Sequence, residues 1–360
     1  MKILIIQQKM IGDVLTSSIL FEGLRKEYPE AELHYLIYPH TAPVIENNPF
    51  IDRIITYSPE EDGKLQNFLN FLKFIRNEKY EVVIDVYSKI ATGIISKASG
   101  APVRISYHKW YTATFYTKTV RQLHKPKTNA GLAIENRMLL LKALGKDFPT
   151  ELKPKIYLTK NEKAAAGKQL SEARIDPEKP LFMIGVLGSS KNKTYPPEFM
   201  AILLDEIAKR TKAGFLFNYI PKQKKEVEEI YNLCAPNTQE RIHLDVFGKS
   251  LREFLALTAH CHALIGNEGG AINMAKALDI PSFSIFSPQI KKENWSLYED
   301  GIRNVSVHLN DFSTVLQGLS KKEIRKNSRR YYELLEPNLI FASLNKFLEI
   351  TTSTQKVGTK

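Results

Sequence analysis

The chain has 360 residues, 43% of them apolar and 25% charged, with a formal charge of +12. At roughly 100–200 residues per domain the length suggests two domains, and the balance of apolar and charged residues excludes a disordered or collagen-like chain. The positive excess says nothing of fold but favours an anionic partner: nucleic acid, a phosphorylated substrate or a membrane face.

Residues 2–6 read as a strand. Val14, Leu15, Ser18, Ile19, Phe21 and Leu24 then recur at near-helical spacing, which predicts one helix over 13–28. A strand at 33–37, a short segment near 42–47, a strand at 53–56 and a helix over 64–76 follow. Next come a strand at 82–86, a helix over 90–98 and a strand at 103–106. Runs without strict alternation suit strands buried on both faces, as in parallel sheets. Strand–helix–strand repetition implies right-handed crossovers and a doubly wound α/β sheet.

Residues 107–127 break this pattern. They carry Lys109, Lys118, Arg121, Lys125 and Lys127 with no acid, interleaved with Tyr107, Trp110, Tyr111, Phe115 and Tyr116. A long helix over 130–144 ends at Gly145, and 151–157, with Pro154, is the expected linker. The second half repeats the logic. It has strands at 181–187, 214–217, 263–265 and 282–286, and helices from Pro197, near 222–231, over 251–259 and over 270–278. Two such halves imply a cleft, with ligands beyond the carboxyl ends of the strands. The last helical pattern covers 333–348, and 351–360 is polar and expected to fray. The expected domains are therefore 1–155 and 156–325. They are followed by a C-terminal helix within 326–350, packing back on the first domain, and a disordered tail at 351–360.

Three strand–turn–helix junctions carry the polar residues. In the first, Gln7 to Asp13, helix N–H groups and the helix dipole favour negative charge. Gly12 permits close approach or positive φ, and Asp13 either caps the helix or acts on a ligand. The second, Gly188-Ser189-Ser190-Lys191-Asn192-Lys193, joins small hydroxyl residues to lysines, which suits phosphate or an ordinary polar loop. The third is Gly266-Asn267-Glu268-Gly269-Gly270. It pairs glycines at a helix start with an acid that can accept from sugar hydroxyls, or is simply a tight turn. The dinucleotide fingerprint and the P-loop are absent. Cys234 and Cys261 are too few for a disulfide framework, and a reducing compartment is the simplest reading. Residues 1–9 are too short an apolar run for a signal peptide, and no stretch approaches the roughly 20 apolar residues of a membrane span. His260-Cys261-His262 straddles a helix–strand junction, where adjacent side chains diverge, so no metal site is expected.

With these residues in view, the chain resembles the ADP-heptose:lipopolysaccharide heptosyltransferases, glycosyltransferase family 9. The resemblance runs through Gly12-Asp13-Val14-Leu15, Tyr28-Pro29 and Lys79-Tyr80-Glu81-Val82-Val83-Ile84-Asp85. It continues through Lys193-Thr194-Tyr195-Pro196, Gly248-Lys249-Ser250-Leu251, Gly266 to Pro281, and Phe286-Ser287-Pro288 with Trp295. It implies a GT-B fold: two Rossmann-like doubly wound parallel-sheet domains facing a central cleft, acceptor on the first and nucleotide sugar on the second. It implies inverting, metal-independent transfer with no cofactor. The implied donor is a nucleotide sugar, ADP-heptose, and the acceptor an anionic glycolipid of lipopolysaccharide core or lipid A type.

By the resemblance Asp13 is the general base and Lys193 offsets leaving-group charge. Ser189, Ser190, Lys249, Glu268, Gly269 and Gly270 bind the donor. Gly12, Asp85, Lys109 and Arg121 are the expected acceptor contacts; Asp85 equally fits a cap on the next helix, and the basic, aromatic segment that holds Lys109 and Arg121 also fits a solvated loop. Glu268 and Asn273 stand where the family has Asp and His, which bears on the donor sugar. A non-catalytic or differently specific GT-B relative that binds nucleotide or glycan is the alternative. Nucleic acid is not an expected partner, since no recognition motif for it occurs. The protein is expected to be a cytoplasmic monomer at the inner face of the cytoplasmic membrane; Lys321, Lys322, Arg325, Lys326, Arg329 and Arg330 either draw it there or form a solvated helix face.

Overall fold

The computed structural model describes residues 1–58, 64–149 and 152–353, with Ser353 described by its backbone alone. The chain divides into two compact units, Met1–Tyr157 and Leu158–Lys360. Glu151 of the expected linker lies outside the described residues. From Leu152 the segment packs into the first unit, where Leu152 and Ile156 are buried.

The first unit runs β1 (Lys2–Ile6), α1 (Ile11–Ser17), α2 (Ile19–Glu27), β2 (Glu32–Ile37), β3 (Arg53–Thr56), α3 (Leu65–Asn77), β4 (Val82–Asp85), α4 (Ile90–Ala98), β5 (Val103–Tyr107), β6 (Lys118–Val120) and α5 (Leu132–Lys142). The strands form one parallel sheet in the order β3-β2-β1-β4-β5-β6. Ile3, Leu4, Ile5 and Ile6 are all fully buried, so both faces of β1 are covered and the run needs no alternation. On one face Leu4, Ile6, Leu36 and Val83 pack with Ile75 of α3 and Ile95 of α4. On the other, the Tyr35 ring meets Phe21 of α2 and its hydroxyl donates to the Val14 carbonyl of α1.

The expected single helix over 13–28 is two. The Thr16, Ser17 and Ser18 hydroxyls donate back to the carbonyls of Gly12, Asp13 and Leu15. Such back-bonding competes with the helical ladder and bends it, here at Ser18. Strand β6 was not expected, because its exposed Lys118 and Thr119 give an edge strand no apolar run.

The second unit begins with α6 (Lys160–Glu172), β7 (Leu181–Gly185), α7 (Pro197–Arg210), β8 (Gly214–Phe217), α8 (Lys224–Leu233), α9 (Pro236–Gln239), α10 (Leu251–Thr258) and β9 (Ala263–Asn267). It continues with α11 (Gly270–Ala277), β10 (Ser282–Ile285), α12 (Lys292–Trp295), β11 (Asn304–Val307), α13 (Lys321–Lys326), α14 (Ser328–Glu333) and α15 (Pro337–Ser353). Its parallel sheet has the order β11-β10-β9-β7-β8. Helix α6, also unexpected, has a mostly polar face but a Thr159–Glu162 capping box. Arg252 of α10 grips Glu162 at 2.6 Å and holds its carboxyl down at about 2.

The final helix, which the sequence reading returns to the first domain, gives Ile340, Leu344 and Phe347 to the core of the second unit. There Phe347 meets Phe283 of β10. The expected frayed tail lies outside the described residues from 354 on; 351–353 extend α15.

Candidate functional site

Each sheet has one place where the winding reverses, and ligands of doubly wound sheets sit there. In the first unit this is beyond the carboxyl ends of β1 and β4, neighbours whose connections run to opposite sides. Asp13 is the third residue of α1. Met10 stands at the cap position with no side-chain cap hydrogen bond, so Asp13 does not cap the helix. Instead Asp13 Oδ1 accepts from Arg137 Nη2 at 2.8 Å. Arg137, buried on α5, also donates through Nε to Ser17 Oγ at 2.8 Å and through Nη1 to the Ala133 carbonyl at 2.8 Å. The guanidinium is thus held on three sides and fixes one carboxylate oxygen. Oδ2 accepts no hydrogen bond among the described residues, and the side chain is 27% exposed. An oriented carboxylate with one open oxygen can take a proton. Gly12 lies within α1, its carbonyl accepting from Thr16.

Asp85 ends β4 and is fully buried. Its Oδ1 accepts from Ser88 N at 2.8 Å and its Oδ2 from Tyr116 Oη at 2.6 Å. Burial pushes this carboxyl up to about 6, against the pull of those hydrogen bonds. Lys109 Nζ donates to the Ser88 carbonyl at 2.7 Å, and its ammonium is weakened by burial and then by Lys89. Asp85 and Lys109 therefore meet at Ser88 and tie the basic, aromatic segment to the turn after β4. Both Asp85 oxygens are occupied from within the unit. Arg121 stands apart, exposed and without an ion pair among the described residues.

In the second unit the reversal lies between β7 and β9. Gly185 and Gly266 face each other in register, and a Cβ on Gly266 (φ +141°) would fall 2.4 Å from the Gly185 carbonyl oxygen. That contact brings the two following turns together. Buried Asn267 joins them: its Nδ2 donates to the carbonyls of Gly185 and Val186 at 2.9 and 3.0 Å, and its Oδ1 accepts from Tyr195 N at 2.6 Å. Lys193 Nζ then lies 3.5 Å from Glu268 Oε1. Glu268 is buried, and burial raises its carboxyl while Lys193 opposes the rise.

Gly269 (φ +151°) precedes α11, and Gly270 is its first residue. The Ser189 and Ser190 side chains are exposed, and their hydroxyls have no partner among the described residues. The Asn192 carbonyl accepts from Ser287, Gln289 and Ser328, which anchors the loop carrying Lys193. Free hydroxyls, an ammonium and the unpaired N–H groups of a helix start make an anion-accepting surface. Lys249 is exposed before α10, and no hydrogen bond or ion pair joins it to Lys193 or Glu268.

Sequence reasoning missed Arg137, Asn267 and the roles of Tyr195 and Tyr332. Tyr195 is core: its hydroxyl donates to the Leu335 carbonyl and its ring meets Tyr332. The signal for Arg137 was a cation in mid-helix, followed at once by the apolar run Met138–Leu141. His260, Cys261 and His262 have separate surroundings: the His262 ring accepts from Leu181 N, His260 pairs with the Lys163 carbonyl, and Cys261 is buried. Among the described residues no group of three or more His, Cys, Asp or Glu could hold a metal ion, and no helix is long and apolar enough to cross a membrane.

Two doubly wound parallel sheets, with an oriented carboxylate at one reversal and an anion-accepting turn at the other, have the architecture of the GT-B class. The chain belongs to glycosyltransferase family 9 (heptosyltransferase), whose model matches residues 68–323. It is 25% identical over 301 residues to lipopolysaccharide heptosyltransferase 1 of Campylobacter coli, covering 79% of this chain and 84% of that protein. The crystal structure of a family 9 glycosyl transferase from Veillonella parvula matches with a TM-score of 0.82 at 18% identity, over 96% of this chain and 97% of that one. The E. coli ADP-heptose lps heptosyltransferase II matches with a TM-score of 0.68 at 16% identity, over 92% and 99%.

Proposed function

We propose that this glycosyltransferase moves a heptose from ADP-heptose to an anionic acceptor of the lipopolysaccharide core or lipid A type, with inversion and without a resident metal ion. ADP-heptose and lipopolysaccharide stand in the names of its relatives, and the basic residues of the first unit support an anionic acceptor. The observation that carries the mechanism is Asp13, held on Oδ1 by Arg137 with Oδ2 open. The acceptor hydroxyl oxygen attacks the anomeric carbon from the face opposite the diphosphate. The new C–O bond forms as the bond to the diphosphate oxygen breaks, and that oxygen keeps the electron pair. The hydroxyl proton passes to Asp13 Oδ2.

Negative charge grows on the departing diphosphate, where Lys193, Ser189, Ser190 and the start of α11 supply compensation. Lys193, paired in this structure with Glu268, would exchange that carboxylate for phosphate when donor arrives. Gly269 and Gly270 keep side chains away from the donor, and Lys249 extends the donor surface. On the acceptor side, Asp85 acts through its neighbours, fixing Ser88 and Tyr116, while Lys109 and Arg121 would meet acidic groups of an acceptor near Gly12.

Transferase assays with ADP-heptose and a lipid A-type acceptor test this. Asp13→Asn should lower kcat at least about 10²-fold with little change in donor affinity. Arg137→Met, which frees the held oxygen, should lower kcat by a smaller factor. Wild-type turnover by Asp13→Asn would remove Asp13 from the chemistry.

A further inference from the structure

The turns at the reversal of the second sheet hold an ion pair whose members differ in their access to water. The Glu268 side chain, directly after β9, is 8% exposed, whereas that of Lys193, 3.5 Å away, is 31% exposed. Glu268 Oε1 is buried with no hydrogen bond among the described residues. Lys193 is the one cation paired with this carboxylate there. The other groups around it are neutral. Tyr332 of α14 is fully buried, within electrostatic reach of Glu268 and beside Ser287, and burial raises its phenol far above the ordinary value. The first turn of α11, Gly270 to Asn273, has no ionisable side chain.

A diphosphate upsets this balance. It brings several negative charges to the surface that Lys193, Ser189, Ser190 and the start of α11 form. The partly exposed lysine can turn outward to meet them, and the buried carboxylate cannot follow. Glu268 would then lie beside a new anion, without its cation and out of reach of water. An unpaired buried carboxylate is far costlier than the neutral acid, so such a group takes up a proton instead. Burial already raises the Glu268 carboxyl, and Lys193 is what opposes the rise.

We infer that binding of a nucleotide diphosphate draws Lys193 from Glu268 to the phosphates, and that Glu268 takes a proton from solvent to become a neutral carboxylic acid. The acid donates a hydrogen bond to a donor oxygen that the carboxylate would repel. The proton returns to solvent when the nucleotide leaves and the ion pair closes again. This rests on the reading of a nucleotide diphosphate donor, and the proton count below separates the two ideas.

The test is calorimetric titration of the full chain with ADP at pH 7, in two buffers of different ionisation enthalpy, which counts the protons exchanged. Glu268→Gln keeps the size of the side chain, cannot ionise, and measures what the nucleotide itself contributes. Wild type should take up as much as about one proton more per ADP than Glu268→Gln. The wild-type complex then holds more protons than the free protein, so affinity falls as pH rises, by up to about tenfold per pH unit. Glu268→Gln should lack this excess slope and bind ADP more tightly than wild type at pH 8. A protonated carboxyl band should appear in the wild-type infrared difference spectrum on ADP binding and be missing for Glu268→Gln. If wild type binds ADP with neither excess proton uptake nor that band, the inference is overturned and the donor reading stands. Weaker binding by a folded Glu268→Gln at every pH overturns it as well, because the carboxylate itself would then hold the donor. If wild type binds no ADP at any pH, the donor reading falls with it.

Discussion

Asp85 joins the sheet to the basic, aromatic segment, and its chemistry gives a pH signature. Burial holds its carboxyl at about 6 against an ordinary value of 3.8. The folded protein therefore keeps this proton where the unfolded chain has lost it. The contribution to stability is complete below pH 3.8, falls as pH rises through the window to 6, and is gone above it. Each pH unit of that gap is worth about 1.4 kcal/mol, so the whole is at most about 3 kcal/mol. Asp85→Asn cannot ionise and should flatten the slope. Urea unfolding at pH 4.5 and 6.5 should show the variant gaining on wild type by about 1–2 kcal/mol as pH rises. A pH-independent difference would mean the carboxyl titrates normally. Asp85 was legible as a strand-end acid facing a site. Its bond from Tyr116 was not, because that residue lies 31 positions away and no local pattern links the two. Arg137 is the same case at 124 positions from Asp13.

At the scale of elements, the reversal in the second sheet depends on Asn267. It ends an apolar strand and reads as nothing more than that in sequence. In the structure it satisfies two carbonyls and one N–H from the neighbouring turn. Asn267→Ala leaves those groups buried and unpaired, at about 1–3 kcal/mol each. Asn267→Asp additionally sets a carboxylate against two carbonyl oxygens. We expect both to destabilise the second unit by about 3 kcal/mol or more, Asp worse than Ala, and both to weaken ADP binding, because Lys193 and Glu268 flank the joint. Calorimetric titration with ADP alongside thermal unfolding measures this; unaltered affinity in a folded variant would separate the joint from the donor turns.

The strands and their parallel arrangement were readable because burial on both faces leaves unbroken apolar runs. The split of α1 from α2 was not, since apolar periodicity continues across Ser18 and only the hydroxyl back-bonds interrupt the ladder. Edge strand β6 escaped for the opposite reason: half-exposed residues carry no run at all.

The molecule consists of two units with separate cores, one built on β1 and the other on β7 and β9. Their reversal points carry different chemistry, an acid-bearing turn in the first and hydroxyl, lysine and glycine turns in the second. If the donor is a nucleotide sugar, its diphosphate belongs with the second, where cations and helix N–H groups face outward. On the proposed mechanism, the acceptor hydroxyl belongs with Asp13 in the first. Hydrogen exchange on the full chain distinguishes these assignments. ADP should slow exchange at 187–195 and 268–272, where its phosphates would engage backbone and side chains. It should leave 8–13 and 86–112 unchanged. At a nucleotide concentration of 100 times Kd the bound unit gains about 2.7 kcal/mol of stability, which raises protection in the strands β7 and β9 as well. An acceptor analogue should produce the complementary map, with protection at 8–13 and 86–112. Protection of the Asp13 turn by ADP alone would reverse the assignment of donor and acceptor to the two units.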